Sequence, residues 1–521
     1  MLEKRIADNK NCQSLMKVAS SQVVVPLTTA VDQQSSKSDG RLTKEEILRM
    51  RQQVIAPCTT VFFKGDPLLV DRASGQYLYD EHGTRHLDCI SNVQHIGHCH
   101  PAVVEAVAKQ MSLTNCNSRF VHENIVVCGQ RLLATLPPQL DRVFFVNSGS
   151  EANDLALRLA RDYTGGHDIV VIDHAYHGHL SSTIDFSPYK FNGVGGRGKP
   201  DHTHVAPCPD VYRGKHRLPE HLLEDHKALA EMGRKYAEDV RTLIEDAAKQ
   251  GRPKIAAFYL ESLQSCGGQV IPPPEYLRNV IKHVHDAGGV VVADEVQTGF
   301  GRVGEKFWAF QLQGDDVVPD IVTMGKPMGN GFPVSAVACR RELAEKFGNG
   351  MEYFNTFGGN PVSCAAVMAV MDVIEKEKLQ ENARQVGEHM LERLKELRKK
   401  HPKLIGDVRG VGLFAGIDLV TDLEKRLPAT DMAKRILLSM RRKCVCLSSE
   451  GPYGNIIKIK PPICFTKSDV DEMVHKLDET LLEETTGASD SIELTDKQSA
   501  RKRQDDNNNS DLLVGGKRKK T

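Results

Sequence analysis

Short apolar runs that alternate with helical segments are the feature that most constrains the fold of this chain. The runs lie at residues 142–146, 168–172, 254–260 and 289–293, and a further run begins at Asp320. Continuous apolar runs of this length indicate strands that are buried on both faces. Residues 153–161 and 274–287 have helical spacing. The alternation predicts an α/β fold in which helices cover both faces of a mostly parallel sheet.

In such a sheet, ligands bind beyond the carboxyl ends of the strands, so the residues after each run are candidates for a site. After the first run come Asn147, Ser148, Gly149 and Ser150, which lead into a helix. Small residues leave backbone N–H groups accessible, and a helix start adds a positive field. The segment therefore predicts a seat for a phosphate or another anion. The alternative is an ordinary helix N-cap formed by Ser148 or Ser150.

The segment after the second run contains Tyr176 among several histidines. A tyrosine in this place can lie flat against a planar ligand. The histidines raise the alternative of a metal site. They offer neither a helical pair four residues apart nor a carboxylate at a known ligand spacing, so we predict no metal. The histidines concerned are His174, His177, His179, His95, His98 and His100.

Charged residues follow the next three runs: Glu261, then Asp294, then Lys326. A carboxylate at the end of an apolar strand is costly to bury unless it meets a positive partner, such as a ring nitrogen that stays protonated. Burial of Lys326 would lower the pKa of its amine and make it a nucleophile. A surface salt bridge could explain each residue alone, but it does not explain why all three follow predicted strands.

Residues 193–198 match two nucleotide-binding motifs, G-x-G-x-x-G and, with Lys199, most of G-x-x-x-x-G-K. The first motif requires a preceding strand and a following helix, whereas Pro188 and Pro200 flank this stretch. The second requires Ser or Thr at the position of Pro200. We therefore predict a loop that binds no nucleotide.

Composition excludes several classes of function. The chain has 68 basic and 68 acidic residues, so no net charge attracts it to nucleic acid, and 6% aromatic residues argue against a base-stacking surface. No stretch approaches the roughly 18 apolar residues of a membrane span. The 13 cysteines have no paired spacing, which indicates reduced thiols and an intracellular location.

Both ends of the chain are polar, and we predict disordered tails at 1–45 and 483–521, the second of them basic. Basic residues near the N-terminus are typical of a mitochondrial transit peptide, although Glu3 and Asp8 weaken that interpretation. The location is therefore left open between the mitochondrial matrix and the cytosol. The basic residues 517–520 could form a nuclear signal, but a solvated tail is favoured.

Four ordered motifs together resemble those of the class-III pyridoxal-phosphate aminotransferases, over about residues 47–482. The most specific is DEVQTGFGR at 294–302, followed by Lys326 about thirty residues after its start. The other three are NSGSEA at 147–152, YHG at 176–178 and TFGGNP at 356–361. The resemblance implies the PLP-dependent transferase fold type I, with a large domain built on a mostly parallel seven-stranded sheet and a smaller α+β domain. The implied bounds are 46–120 and 366–482 for the two parts of the small domain and 121–365 for the large domain.

The resemblance also implies roles toward pyridoxal 5'-phosphate. Lys326 would bond covalently to the cofactor and then act as the base, and Asp294 would pair with the ring nitrogen; these are the two catalytic residues. The implied cofactor contacts are Gln297 at the ring hydroxyl, Tyr176 on the ring, Ser148, Gly149 and Ser150 at the phosphate, Glu261 near the substrate side, and Thr356 reaching the phosphate from a neighbouring subunit. The role of Thr356 requires a homodimer or a homotetramer.

Within this family the chain resembles most the branch of ethanolamine-phosphate and 5-phosphohydroxylysine phospho-lyases, also labelled alanine–glyoxylate aminotransferase 2-like proteins. The segments that carry this likeness are 97–101, 117–120, 187–191, 329–331 and 460–465. Residues 261–268 are closer to the ethanolamine-phosphate type and residues 307–314 to the hydroxylysine type. The choice between the two substrates stays open.

One departure from the family pattern concerns substrate recognition. Many class-III transaminases place an Arg, which clamps the substrate carboxylate, at the position of Lys458. A lysine is a point charge without the bidentate fork of arginine, so it would hold a carboxylate more weakly. Phosphoethanolamine has no carboxylate. We hypothesise that Arg119 helps to bind the substrate phosphate, with an ordinary salt bridge as the alternative.

The resemblance leaves three functions open. The first is a phospho-lyase that converts a phosphorylated amine to an aldehyde, ammonia and phosphate. The second is a transaminase that passes the amino group to a keto acid; both reactions begin with the same proton abstraction by Lys326. The third is a catalytically dead homologue that serves as a binding protein, and the presence of Lys326 and Asp294 argues against it.

Overall fold

Thirteen α-helices, three short 3₁₀ helices and sixteen strands lie in the part of the chain that the computed structural model describes, residues 41–486. The strands are β1 Val70–Ser74, β2 Tyr77–Asp80, β3 Arg85–Asp88, β4 Arg142–Val146, β5 Asp168–Ile172, β6 Thr203–Ala206, β7 Ile255–Glu261, β8 Val290–Asp294, β9 Ile321–Met324, β10 Ser335–Cys339, β11 Ile405–Val411, β12 Phe414–Asp422, β13 Leu427–Pro428, β14 Val445–Cys446, β15 Ser448–Glu450 and β16 Ile456–Ile459. The helices are α1 Lys44–Val54, α2 Pro101–Leu113, α3 Glu123–Leu133, α4 Gly149–Thr164, α5 Ser181–Ile184, α6 Pro188–Phe191, α7 His226–Lys249, α8 Tyr276–Asp286, α9 Arg341–Phe347, α10 Pro361–Lys376, α11 Leu379–Lys400, α12 Thr430–Arg442 and α13 Lys467–Thr486.

The chain divides into two units, Met1–Val61 and Phe62–Thr521. In the first unit, a capping box begins α1: Thr43 Oγ1 accepts from the N–H of Glu46 at 3.2 Å, and the Glu46 carboxylate accepts from the N–H of Thr43 at 2.8 Å. Residues 44–45 are therefore helical, and so are 483–486 at the end of α13, which corrects the bounds that we predicted for the two tails. The remaining tail residues lie outside the described part of the chain.

A seven-stranded sheet with the order β4-β10-β9-β8-β7-β5-β6 forms the centre of the second unit. Strands β6, β5, β7, β8 and β9 run parallel, while β10 is antiparallel to both β9 and β4. The predicted mostly parallel, seven-stranded sheet is thus confirmed. Two predicted strands have the observed bounds, and β7, β8 and β9 each begin one residue later than their apolar runs.

Alternate residues of the central strands face two separate hydrophobic clusters, which explains why the runs are continuously apolar. Val170 and Phe258 belong to one cluster, whereas Val171 and Ala257 belong to the other. Helix α8 contributes to the first cluster and α4 to the second. Both faces of the sheet are therefore buried, as in other α/β proteins.

Two smaller sheets lie outside the central sheet. In one, β14 pairs in parallel with β3, so Val445 lies beside Leu87 and the two ends of the second unit meet in a sheet of order β1-β2-β3-β14. The other has the order β11-β12-β16-β15, with β13 paired to β12. The first of these sheets joins residues that we assigned to the two parts of the small domain, whereas the second lies wholly within the C-terminal part. The domain bounds themselves stay a prediction.

The glycine-rich stretch that matches nucleotide-binding motifs is a loop. Residues 192–202, between α6 and β6, form neither helix nor strand. The motif therefore lacks the preceding strand and following helix that a dinucleotide site requires, as predicted. Within residues 41–486, no helix has the length and apolarity that crossing a bilayer requires.

Candidate active site

A cavity of about 300 Å³ opens at the carboxyl ends of the parallel strands. The segments that follow β4, β5, β7, β8 and β9 line it, because these strands all end at the same edge of the sheet. The predicted site residues among its walls are Ser148, Gly149, Ser150, Tyr176, Glu261, Asp294, Gln297 and Lys326. Three other predicted residues, Arg119, Thr356 and Lys458, do not line it.

Lys326 follows the end of β9, with Gly325 between them. A Cβ on Gly325 would lie 2.7 Å from the Ser335 hydroxyl oxygen, so the close packing at this strand end requires glycine. Burial lowers the pKa of the Lys326 amine below its ordinary value, and the negative charges of Asp294 and Glu261 oppose that shift. The amine therefore loses its proton more readily than an exposed lysine does, as a nucleophile or a general base requires.

Asp294 is the last residue of β8 and is almost fully buried. Its Oδ2 accepts hydrogen bonds from His177 Nδ1 at 2.9 Å and from Asn153 Nδ2 at 2.8 Å, and its Oδ1 accepts from the N–H of Val296 at 3.0 Å. Asn153 is held in turn by the Thr323 hydroxyl, which donates to its Oδ1 at 2.8 Å. These donors hold the carboxylate in one orientation at the cavity wall and offset part of the cost of burying its charge.

The first residues of α4 form the wall at the other end of the predicted cofactor site. Ser148 is the N-cap, and its Oγ accepts from the N–H of Glu151 at 3.2 Å. The N-cap interpretation is thus correct for Ser148, and Ser148, Gly149 and Ser150 also line the cavity. A Cβ on Gly149 would lie 2.7 Å from a methyl group of Val296, so a larger residue would close this approach to the helix start.

Glu261 ends β7 and holds the backbone of two cavity segments. Its Oε1 accepts from the N–H of Tyr176 at 3.0 Å, and its Oε2 accepts from the N–H of Ser265 at 3.0 Å. Burial raises the pKa of this carboxyl group above its ordinary value. The hydrogen bond from its N–H to Glu261 holds the backbone of Tyr176, and its ring packs edge-on against Tyr189 with centroids 6.0 Å apart. Together these contacts hold Tyr176 at the cavity wall.

Three residues without a predicted role surround the amide of Gln297. Its Oε1 accepts from Asn92 Nδ2 at 2.9 Å, from Lys460 Nζ at 2.8 Å and from Ser265 Oγ at 3.2 Å. No local pattern marks Asn92 or Ser265 as site residues. Lys460 lies in a segment noted for its resemblance, but nothing in that segment indicates that it reaches Gln297.

Arg302, the last residue of the DEVQTGFGR motif, has a structural role. Its side chain is fully buried and donates to the carbonyl oxygens of Leu413 at 3.0 Å and Pro461 at 2.8 Å, and to His95 Nδ1 at 3.2 Å. The other ring nitrogen of His95 donates to the Phe300 carbonyl oxygen at 2.7 Å. Arg302 therefore ties the motif to the connection between β11 and β12 and to the segment that follows β16.

Five of the six histidines that raised the metal alternative have side-chain partners within the protein. His98 pairs with Asp88 at 2.7 Å, and His100 with Glu377 at 3.1 Å. Among the described residues, no group of three or more His, Cys, Asp or Glu side chains is placed to hold a metal ion.

Arg119 and Thr356 lie on the exterior of the chain. The Arg119 guanidinium makes a bidentate ion pair with Glu352, at 2.9 Å and 2.8 Å, and lies 3.8 Å from the centre of the Phe354 ring. Both members of the pair are more than half exposed, so the pair stabilises the fold little. Thr356 is exposed as well, in the same connection between α9 and α10.

Lys458 is buried in β16 and is paired within the chain. Its Nζ lies 2.8 Å from Glu450 Oε1, and both side chains are largely excluded from solvent. Burial raises the pKa of Tyr189, which packs against Tyr176, and the negative charge of Glu450 raises it further. The charge of Lys458 is therefore already balanced beside the cavity.

The walls of the cavity fit pyridoxal 5'-phosphate. Asp294 offers a carboxylate that could pair with a protonated ring nitrogen. Lys326 offers an amine of lowered pKa that could bond to an aldehyde carbon. A helix start with small residues offers the positive field and the access that a phosphate needs. Asp294, Lys326 and the residues from Ser148 to Ser150 would hold the three ends of the cofactor.

Comparisons with known proteins agree with this fold. Residues 63–481 match the family model described as aminotransferase class-III. The chain is 53% identical over 440 residues to ethanolamine-phosphate phospho-lyase homolog 1 of Caenorhabditis elegans, covering 84% of this chain and 94% of that protein. It is 36% identical over 442 residues to human mitochondrial alanine–glyoxylate aminotransferase 2, covering 82% and 84% of the two chains. A solved phospholyase from Arthrobacter, in complex with phosphoethanolamine, superposes with a TM-score of 0.77 at 35% identity, covering 84% of this chain and 99% of that one.

The fold and the site define a pyridoxal-phosphate enzyme of fold type I. The chain belongs to the class-III aminotransferase family. Its cofactor is pyridoxal 5'-phosphate, and its activity is that of a lyase or a transaminase.

Proposed function

We propose that this protein is a phospho-lyase that eliminates phosphate from a phosphorylated amine, with phosphoethanolamine as the first substrate to test. The pairing of Lys458 with Glu450 supports the proposal most directly. It leaves a neutralised point charge at the position where many relatives hold a substrate carboxylate with arginine, so an amine without a carboxylate loses little binding there. The C. elegans relative, named as a phospho-lyase homolog, and the phospholyase bound to phosphoethanolamine agree with it.

The chain's own residues can supply the required proton transfer. Bound pyridoxal phosphate supplies an electron sink next to the substrate carbon that bears nitrogen. Lys326, with its lowered pKa, removes the proton from that carbon. The C–H electron pair then forms a carbon–carbon double bond as the C–O bond to phosphate breaks. Water hydrolyses the unsaturated product, so one water and the substrate give an aldehyde, ammonia and inorganic phosphate.

We expect stoichiometric release of phosphate and ammonia from phosphoethanolamine without any added keto acid. A transaminase needs the keto acid and releases no phosphate, so the two functions give opposite results in one assay. 5-Phosphohydroxylysine in a parallel reaction distinguishes the two substrate types. Absence of phosphate release from both substrates, with turnover of an amine and a keto acid, would establish the transaminase alternative.

In the same assay, Arg119 can be tested as a ligand of the substrate phosphate. Arg119→Lys keeps the charge but removes the bidentate fork, so we expect the KM for the phosphorylated amine to rise while kcat changes less. Glu352→Gln is the matched control, because it breaks the same ion pair and leaves the guanidinium in place. An unaltered KM in Arg119→Lys would show that Arg119 forms a surface salt bridge and does not bind the substrate phosphate.

We propose further that the enzyme is a homodimer, with Thr356 of one subunit completing the site of the other. Thr356 is exposed, and exposed apolar side chains stand on the segments near it in sequence and on the α2–α3 region. A large exposed apolar surface is typical of a protein–protein interface. These side chains are Val104, Met111, Leu113, Phe120, Val121, Val126, Met351 and Phe357.

Coexpression of two inactive variants tests this arrangement. Lys326→Ala and Thr356→Asp should each be inactive alone, the second because a carboxylate would repel the cofactor phosphate. A mixed dimer has one site with both native residues, so random pairing should restore about a quarter of the native activity. If the coexpressed variants stay inactive although mixed dimers are isolated through two different tags, Thr356 does not act across the interface.

The location is proposed to be intracellular, in the mitochondrial matrix or the cytosol. The human relative is named as mitochondrial. The basic N-terminal residues that would form a transit peptide lie outside the described residues. Imaging of the full chain with a C-terminal fluorescent tag, with and without residues 1–40, decides between the two compartments.

A further inference from the structure

We propose that Lys460 is a positioning residue that fixes the direction of the Gln297 amide, so that its NH₂ group faces the cofactor cavity. All the hydrogen bonds of the Gln297 side chain within the described chain fall on Oε1. Gln297 itself lines the cavity. The residue therefore presents a donor, and not an acceptor, to whatever occupies the cavity.

The three partners of Oε1 differ in how strongly they impose this direction. An asparagine amide can be turned to accept instead of donate, and a serine hydroxyl can reverse its role by rotation. A lysine amine keeps N–H groups to donate in either charge state, and as an ammonium it cannot accept. Lys460, at 2.8 Å, is therefore the partner that most strongly favours the orientation in which the Gln297 Oε1 faces this cluster.

Lys460 has no ordinary structural explanation. It is fully buried, and no carboxylate lies within ion-pair distance of its Nζ in residues 41–486. The charged groups that act on it most strongly are the cations Lys458, Arg302 and Lys326, and after them the Glu261 carboxylate. Burial and these cations lower its pKa well below the ordinary value. A buried lysine without an ion pair costs stability, so an apolar residue would suit this core better if the amine had no function.

The backbone and stem of Lys460 are held so that Nζ points at Gln297. Its N–H donates to the Cys89 carbonyl oxygen at 2.9 Å, and the next carbonyl, of Pro461, accepts from Arg302 at 2.8 Å. Its Nζ lies 4.8 Å from the centre of the buried Phe414 ring. The second hydrogen bond of Nζ, to Ser265 Oγ at 3.2 Å, joins the same cluster.

The consequence for the cofactor follows from the polarity of the hydrogen bond. Gln297 is the residue expected at the ring hydroxyl of pyridoxal phosphate, and a donor there withdraws negative charge from the ring oxygen. A proton next to this ring oxygen would then be held less firmly. The bound cofactor would therefore lose that proton at a lower pH. This inference rests on the cofactor and not on the choice between lyase and transaminase.

The test is a spectrophotometric pH titration of the holoenzyme, which reads the midpoint of the cofactor's visible absorbance change. Lys460→Met keeps length and apolar volume but removes the donor, and we expect it to raise the midpoint by about one pH unit. Lys460→Gln should raise it less, because its amide can still donate to the Gln297 Oε1 in one of its two orientations. Gln297→Ala should raise it as much as Lys460→Met, and the double variant should not exceed Gln297→Ala, since both changes remove one interaction.

Thermal melting of each variant without cofactor controls for folding, and either Lys460 variant suffices if the other does not fold. A native midpoint in a folded Lys460→Met or Lys460→Gln protein would overturn the proposal. So would shifts that add in the double variant, because they would mean that Lys460 acts independently of Gln297. Phosphate release plays no part in these readouts, so failure of the proposed phospho-lyase activity leaves them unchanged.

Discussion

Replacement of Lys326 by alanine is expected to lower kcat for phosphate release by at least ~10³-fold, since it removes both the amine that bonds to the cofactor and the general base. Its amine stands at the end of β9 in a cavity where burial lowers its pKa, so it is the described lysine best suited to both tasks. The visible absorbance band of the covalently held cofactor should disappear in the same variant. Steady-state phosphate release and an absorbance spectrum of the purified protein measure the two effects.

The matched control for this substitution is Lys434→Ala. Lys434 is an exposed lysine that pairs with Asp431 at 2.9 Å, within one turn of α12. Its loss should leave kcat and the spectrum unchanged, because an exposed pair of this kind is worth little. A Lys326→Ala protein that retains more than about a tenth of native turnover would show that another group abstracts the proton.

Asp294→Asn is expected to reduce kcat by ~10²–10³-fold, a loss similar to that of other preorganised electrostatic groups. The amide keeps the shape of the side chain, and its one oxygen can still accept from Asn153 and His177, while its NH₂ group cannot accept from the N–H of Val296. It no longer carries the negative charge that would keep the ring nitrogen of the cofactor protonated. Because the charge acts on the reaction more than on substrate binding, kcat should fall further than KM changes. Initial rates over a range of phosphoethanolamine concentrations separate the two.

Asp185→Asn is a suitable control, since this carboxylate is nearly half exposed and its contact with His202 is long, at 4.0 Å. It should behave as the native enzyme. Cofactor retention, measured by absorbance after gel filtration, identifies the part of the Asp294→Asn loss that comes from weaker cofactor binding. Native kcat in a folded Asp294→Asn enzyme that retains its cofactor would exclude the proposed role.

The sequence predicted the central sheet well because strands buried on both faces need continuous apolar residues. Runs 142–146 and 168–172 have the observed bounds of β4 and β5. The later strands were predicted to end one residue early, because the charged residues after the runs were read as lying outside the strands. Glu261 and Asp294 are in fact the last residues of β7 and β8 and face each other in the sheet. Their backbone continues the hydrogen-bonded ladder while their side chains reach the cavity.

The same reasoning predicted from the sequence that most of the candidate site residues lie close together. Parallel strands end at one edge, so residues that follow different strands converge without any contact being visible in the sequence. Lys326, Asp294, Tyr176 and Ser150 meet at the cavity for this reason. Arg119 and Thr356 do not reach it within one chain, and their predicted roles concern the substrate and a second subunit.

The residues that sequence reasoning missed carry no local pattern that marks them as site residues. Asn92, Ser265 and Lys460 stand far apart along the chain and meet only at the Gln297 oxygen. Asn153 and His177 belong to recognised motifs, but their convergence on Asp294 depends on how α4 and the loop after β5 pack against β8.

By itself, then, the sequence determined the sheet and the set of chemical groups at its edge. Both depend on local patterns, namely apolar runs and the residue types that follow them. Only the tertiary structure decided which way those groups point and what holds them. Hydrogen bonds such as the one from Lys460 to Gln297 join residues 163 positions apart, and no local pattern records them.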